Sequence, residues 1–454
     1  MYVRTVSDSA GDALGTDEDE EPGLYAADGP AAASPVSVFG ERVRAWRALL
    51  DRPLTSYYLI VGITTLLLSL GLVMVLSTGS VSDLAYGLSP YHDFMWQFLG
   101  IAVGVPMMWL AARSSPRLFR AAAYPLIAIS MIGLGLTLIH GVGVSQNGAS
   151  RWIAMGPVTF QPSELAKLAL AVWGADLLAR KEKLGLLADW RHMLVPLMPG
   201  TGVLAMLVMG GDDLGTTFIL LCIFLALLWI AGTPGRVFTA LLILMGLVLL
   251  LLIVTASYRL KRIVGFLGTQ NTQNTSAGQN WATWQAVQGK DALGSGGIFG
   301  VGLGASREKW GWLPNSTSDF IFAIIGEELG LVGTLCVTVL YGGLAYAGLR
   351  VARRAPDTFS RLAAAAITAW IVMQAVVNIG AVIGVLPITG VPLPLVSKGL
   401  SSVLVTMLAL GMLMSFARRE PGAAEAFAAR GPSVSSRVLS WLGLGTRHDG
   451  GPGP

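Results

Sequence analysis

Apolar runs of about 20 residues recur along the chain, separated by short polar or Gly- and Pro-bearing stretches. A run of that length crosses a bilayer as a helix. A helix also satisfies its own backbone hydrogen bonds where no water is at hand. The pattern predicts ten spans, at about 57–77, 94–112, 121–141, 163–179, 193–210, 214–232, 237–256, 319–346, 362–386 and 401–417. The fifth is interrupted by Pro196, Pro199 and Gly200. The expected fold class is therefore an all-α integral membrane protein, with a large loop over 257–318 between helices seven and eight. An even number of spans puts both termini on one side.

Charge placement says which side. Arg113, Arg117 and Arg120 fall in one loop, and Arg180, Lys181, Lys183 and Arg191 in another. Arg350, Arg353, Arg354 and Arg361 fall in a third, and Arg418 and Arg419 follow the last span. All lie on one face. On the other, loop 78–93 has no Lys or Arg and loop 387–400 has only Lys398. Basic loops stay in the cytoplasm, so both termini are expected there. The 257–318 loop is then extracellular, and Asp319 lies at the outer membrane boundary.

Composition agrees. The 454 residues are 53% hydrophobic and 13% charged, about half the charged share of an ordinary soluble domain. The net charge of +4 matters less than its placement, and no nucleic-acid partner is expected. Cys222 and Cys336 lie in apolar segments and read as small hydrophobes. The four histidines are scattered and suggest no metal cluster. Residues 1–54 hold the acidic run DEDEE and no apolar core, so a disordered cytoplasmic tail is expected, not a signal peptide. Residues 419–454 read as a second such tail, in which VSSRVLSWLGLG could lie as a helix on the membrane surface. The membrane domain is then 55–418.

Four polar clusters fall on the outer side. In NGASRWIAMGPVTFQPSELAKLAL (147–170), Arg151 and Trp152 are expected in a loop, and Gln161, Pro162, Ser163 and Glu164 open helix four. A helix cap and an interfacial Trp would explain much of this. Lys167, one turn after Glu164 in apolar surroundings, is harder to dismiss, although a Glu–Lys pair can be purely structural. The second cluster, 281–314, has six glycines between Gly294 and Gly304, flanked by Lys290, Arg307 and Lys309 and interleaved with tryptophans. It reads either as a loop anchored on headgroups or as a site for an anionic, partly apolar ligand. In the third, LPNSTSDFIFAIIGEELG (313–330), Asp319 could simply open helix eight. Glu327 and Glu328, about two turns further in, must pair, stay protonated or line a wet cleft, with Arg151 or Lys167 as candidate partners. In the fourth, 374–402, Gln374 and Asn378 share a helical face. Pro387, Pro392 and Pro394 then break the chain at membrane depth, where irregular backbone must be covered by protein or line a cavity.

Taken in order, NGASRWIAMGPVTFQPSELAK, DLGTT (213–217), GSGGIFGVGLG, LPNSTSDFIFAIIGEELG and NIGAVIGVLPITGVPLPLVS resemble the SEDS family (FtsW/RodA/SpoVE) over about residues 55–418. The form REKWGWLPN is most like its actinobacterial FtsW branch. The resemblance implies peptidoglycan glycan polymerisation from lipid II outside the membrane, alongside a class B penicillin-binding protein and other division proteins. It places the family's essential acid on Asp319 and its Arg-Trp pair on Arg151 and Trp152. Its QPSExxK motif falls on Gln161, Ser163, Glu164 and Lys167, and the acid of its PDLGT motif on Asp213. Asp319 is then the candidate general base. Arg151, Lys167, Lys309 and Lys398 are candidates for the phosphate side, and Asp213, Glu327, Glu328 and Asn378 are supporting residues. The cofactor is left open, a divalent cation among the options.

The chain departs from the family at two places. LPExHTD reads LPNSTSD, with Asn315 and Thr317 in place of a Glu and a His. FISYGGSS reads LVSKGLSS, with Lys398 and Leu400. A lipid II flippase and a non-catalytic divisome scaffold are the alternative functions. An elongation or sporulation role stands beside division.

Overall fold

Each of the ten apolar segments is helical in the computed structural model, which describes residues 54–139, 141–146, 149–156, 158–255, 281–423 and 425–426. The expected N-terminal tail, apart from Leu54, lies outside these residues. So do residues 256–280 of the expected outer loop and the C-terminal tail beyond residue 426, with its surface-helix candidate.

The first helices are α1 (Thr55–Ala85), α2 (His92–Arg113) and α3 (Pro116–Thr137). Three strands follow: β1 (Gly143–Gln146), β2 (Ala149–Met155) and β3 (Val158–Phe160). Next come α4 (Pro162–Lys183), α5 (Trp190–Leu194), α6 (Leu197–Gly210), α7 (Leu214–Ile230), α8 (Gly235–Val254) and α9 (Trp281–Ser295). The chain closes with α10 (Ile321–Arg354), α11 (Thr358–Val382) and α12 (Leu400–Ala417). Local chemistry sets several starts. Pro116 and Pro162 take first-turn positions, where a missing N–H costs nothing. Asp213 and Asp357 cap α7 and α11 through their carboxylates.

Among the described residues, eight segments are long and apolar enough to cross a membrane, α5 and α6 counted as one. The other two expected spans stand apart for physical reasons. α4 carries too many charges along its length, and α7 has 17 residues, at the short end of the roughly 17–25 that span.

The structure adds detail to the expected architecture and shifts some of its boundaries. Beside the helices, β1, β2 and β3 form a small antiparallel sheet in that order, pairing Gly143 with Ile153 and Ile153 with Phe160. Arg151 and Trp152 therefore sit on strand β2, not in a loop. Strands of three to seven residues are too short for alternation to stand out in the sequence. The fifth span is interrupted at Pro196, one of the residues expected to interrupt it, because proline cannot donate to the helical ladder. Helix eight starts at Ile321, two residues after Asp319, so that carboxylate does not open it. Finally, α9 occupies part of the expected loop.

α11 is the central post, packing on α4, α7, α10 and α12. Its Trp370 is fully buried. α12 packs closely on α2: a Cβ on Gly411 would stand 2.4 Å from the Met108 carbonyl, the close approach that small residues allow between membrane helices. α8 packs chiefly on α7 and leaves Ile243, Leu247 and Leu251 exposed, which suits lipid.

Within the irregular stretch 383–399, residues 391–397 are packed into the protein, while Ile383 and Val385 are exposed. Val391, Leu393, Leu395 and Val396 are buried, and α1 backs them at Gly71. Its carbonyls find partners: Gln374 Nε2 donates to Pro392 (2.9 Å), Asn378 Nδ2 to Val391 (2.8 Å) and the Tyr341 hydroxyl to Pro394. Backbone away from water requires such partners. They account for two buried polar side chains on a helix that otherwise packs apolar residues.

Candidate active site

Asp319 ends a turn-rich segment leading into α10. Asn315 stands at φ 56°, a left-handed conformation that Asn tolerates far better than most residues. Its carbonyl accepts the N–H groups of Ser318 (3.0 Å) and Phe320 (3.2 Å), which folds the segment back. Asn378 Nδ2 donates to the Asp319 carbonyl (2.7 Å). The Ser318 hydroxyl donates to Asp319 Oδ1 (3.0 Å). The half-buried carboxylate is thus held by its own backbone and by α11.

Arg151 approaches from β2. Its Nη2 donates to the Asp212 carbonyl (2.9 Å), and its Nε lies 3.8 Å from Asp213 Oδ2. Asp213 is itself fixed, accepting from the Thr216 N–H (3.0 Å) and hydroxyl (2.8 Å). Arg151 and Asp319 converge on Gly390, in the irregular stretch. Arg151 Nη1 and Asp319 Oδ2 each lie 3.9 Å from where a Cβ on that glycine would stand. Gly390, at φ 71°, leaves the space between base and cation candidates open. A small cavity beside it is lined by Thr137, Ser150, Arg151, Ser163 and Asp213. Arg151 Nε and the Ser163 hydroxyl are buried there without a protein hydrogen-bond partner. Trp152 is half-buried on β2. Gln161 precedes α4 without capping it through its side chain.

Other candidates are committed elsewhere. Lys167 Nζ donates to Glu164 Oε1 (2.8 Å) and Gln374 Oε1 (2.7 Å), with the Trp370 ring 5.3 Å away. Both charged residues are 1% exposed. They are buried between α4 and α11. Lys309 pairs with Glu328 Oε1 (3.0 Å) and donates to the Ser77 hydroxyl (3.0 Å) and the Gly304 carbonyl (2.7 Å). Glu327 accepts from the Ser306 hydroxyl (2.5 Å) and the Arg307 N–H (2.8 Å). The two glutamates therefore fasten the 304–309 turn onto α10, and neither meets Arg151 or Lys167 as expected. Lys398 ion-pairs with Asp93 Oδ1 at 2.6 Å, with its side chain 43% exposed. Leu400 opens α12 and rests on Gly100 of α2. Among the described residues, no group of three or more His, Cys, Asp or Glu is placed to hold a metal ion.

Sequence reasoning missed Gly390, Ser318, Ser397, Asp93 and Gln97. Only the two acids in a loop without basic residues, Asp83 and Asp93, gave any signal.

An Asp and an Arg brought close to one glycine, at the sheet-bearing end of a membrane helix bundle, define a multi-pass membrane protein with a polar site at one end. The sequence matches the FtsW/RodA/SpoVE family, described as a cell cycle protein, over residues 57–421, and the chain belongs to that family. It is 42% identical to the probable peptidoglycan glycosyltransferase FtsW of Mycobacterium tuberculosis, over 93% of this chain and 78% of that one. It is 36% identical to the stage V sporulation protein E of Bacillus subtilis, over 79% and 96%. Among solved structures, it resembles a chain of a peptidoglycan synthase complex that coordinates polymerization and crosslinking (TM-score 0.62, 26% identity, 79% and 96% covered). It also resembles the rod shape determining protein RodA of Thermus thermophilus (TM-score 0.56, 27% identity, 82% and 98% covered).

Proposed function

We propose that this chain is a peptidoglycan glycosyltransferase that polymerises lipid II at the outer face of the bacterial cytoplasmic membrane, in division. The observation that carries this reading is the convergence of Asp319 and Arg151 on Gly390, in a chain whose relatives bear that activity in their names. The basic loops support an outward-facing site. The mycobacterial relative supports an actinobacterial source.

In the reaction, the 4-hydroxyl of one lipid-linked disaccharide attacks the anomeric carbon of another. The new glycosidic bond forms as the bond to the pyrophosphoryl lipid breaks, and the anomeric configuration inverts. The hydroxyl proton passes to Asp319, and the electron pair leaves on the pyrophosphate. Pyrophosphate is a good leaving group, so one base and a cation suffice. Arg151 is the cation placed near Asp319 at Gly390, whereas Lys167, Lys309 and Lys398 lie against Glu164, Glu328 and Asp93. Its guanidinium can face phosphate oxygens in a fork. Its contact to Asp213 fixes its angle. A class B penicillin-binding protein is the partner that crosslinks the product, in keeping with the complex this chain resembles.

The test is polymerisation of lipid II by the chain with its cognate penicillin-binding protein. General-base catalysis contributes about 10²–10⁴-fold, so Asp319→Asn should lose about that much while folding normally. Equal rates would remove Asp319 as the base. No polymer from the wild type would favour the scaffold or flippase readings.

A further inference from the structure

Three consecutive residues, Ser397, Lys398 and Gly399, are gripped from two sides. On one side stands α2. Its Gln97 donates to the Ser397 carbonyl (3.3 Å) and accepts the Gly399 N–H (3.2 Å). Its Asp93 holds the Lys398 ammonium at 2.6 Å. Asp93 and Gln97 are one turn apart and both buried, and the Asp93 N–H is tied to Asp83 Oδ2 (2.9 Å). On the other side stands the segment leading to Asp319. The Lys398 N–H donates to the Thr317 carbonyl (3.0 Å), and the Ser397 hydroxyl to the Ser318 carbonyl (2.5 Å). That hydroxyl also accepts the Leu393 N–H (2.8 Å).

We propose that Asp93 and Gln97 are positioning residues which, through Lys398 and its neighbours, clamp the turn that carries Asp319 and so set the base against its acceptor. The proposal rests on the reading of Asp319 as the polymerase base. It assigns Lys398 a task other than binding phosphate. The Asp93 carboxylate is enclosed and needs its cation, whereas the Lys398 side chain is still 43% exposed. The ion pair is therefore used chiefly to hold a loop in place. Exposed ion pairs contribute little, but a carboxylate buried among hydrogen bonds tolerates loss of its partner badly. Reaction rates respond steeply to small displacements of a reacting group.

The experiment compares wild type, D93N, K398M and the exchange D93K/K398D, each with the cognate penicillin-binding protein. It measures initial rates of lipid II polymerisation and backbone hydrogen exchange at 315–320. Misplacing the base should lower kcat of each single variant by about 10- to 100-fold. KM should stay within about twofold, because uniform binding is untouched. Exchange at 315–320 should rise in both, and the charge exchange should restore most of both readouts. A K398M variant with raised KM and unchanged kcat would overturn the proposal, making Lys398 a substrate ligand. So would unaltered exchange in D93N, or a charge exchange no better than the singles. If either single variant fails to fold, Q97L and K398R carry the test: Q97L must raise exchange at 315–320 and K398R must not. If the wild type makes no polymer but exchange behaves as expected, the clamp stands and the polymerase reading falls.

Discussion

Gly390 shows how much of the site depends on one residue with no side chain. Its φ of 71° is a conformation that L residues rarely adopt, and both Arg151 and Asp319 stand close to it. An added methyl would meet both at 3.9 Å, an ordinary contact, so the cost lies in the backbone. Gly390→Ala should fold, since the strain is only on the order of 1 kcal/mol, yet shift the stretch that Asn378 and Ser397 tie to Asp319. Its polymerisation rate is expected to fall about 10-fold or more with lipid II still bound. Wild-type rates from this variant would mean that the site tolerates a moved backbone. Asn315 makes the complementary point. The family's Glu is replaced here by a residue suited to the left-handed turn that aims Asp319.

α10 and the turn strapped to it answer why so apolar a chain keeps paired glutamates. α10 breaks at Gly330 (φ 68°), and the freed carbonyls of Glu327 and Glu328 accept N–H groups from Val301 and Gly302. The side chains of those glutamates hold Ser306, Arg307 and Lys309. Glu308, in the same turn, has a buried Oε2 without a hydrogen-bond partner. Burial, then Glu327 and Asp291, push its carboxyl from 4.5 up to about 7. Between those values the folded turn keeps a proton that the unfolded chain has released. The resulting stability is complete below the unfolded value and is lost as pH rises through about 7. Melting temperature measured from about pH 5 to about pH 8 should fall more steeply for wild type than for Glu308→Gln. Parallel profiles would show that Glu308 ionises freely.

For the bundle as a whole, Lys167 links α4 to α11 by donating to Gln374, while its charge is balanced by Glu164 on its own helix. Removing one partner leaves a charge in a closed interior, at a cost of about 3–5 kcal/mol. Lys167→Met should therefore lower the melting temperature markedly in detergent, and Glu164→Gln/Lys167→Met should recover part of the loss. A stable single variant with raised KM would instead return Lys167 to the substrate. The opposite end of the bundle is tied by similar means: Arg120 and Arg180 both grip Asp176 (2.8 and 2.7 Å), and Arg361 reaches Glu182 (3.2 Å). Arginines whose number set the expected orientation also pin helices together.

Helix positions, the irregular proline stretch and the outer polar clusters could be read from the chain because each depends on neighbours a few residues apart. Bilayer thickness fixes run length, and proline breaks a ladder wherever it falls. Asp319, Arg151 and the Glu164–Lys167 pair stood out as charges set against an apolar background. Which charges meet could not be read the same way. Lys398 and Asp93 are 305 positions apart, and Ser77 and Glu328 are 251 apart. Such pairings depend on which helix faces touch, and near-uniformly apolar helices carry little periodicity to say so. Hence Lys309 and Lys398 read as free cations until packing placed a carboxylate beside each. Gly390 drew no notice in the sequence, because only the fold brings an acid and a guanidinium close to it.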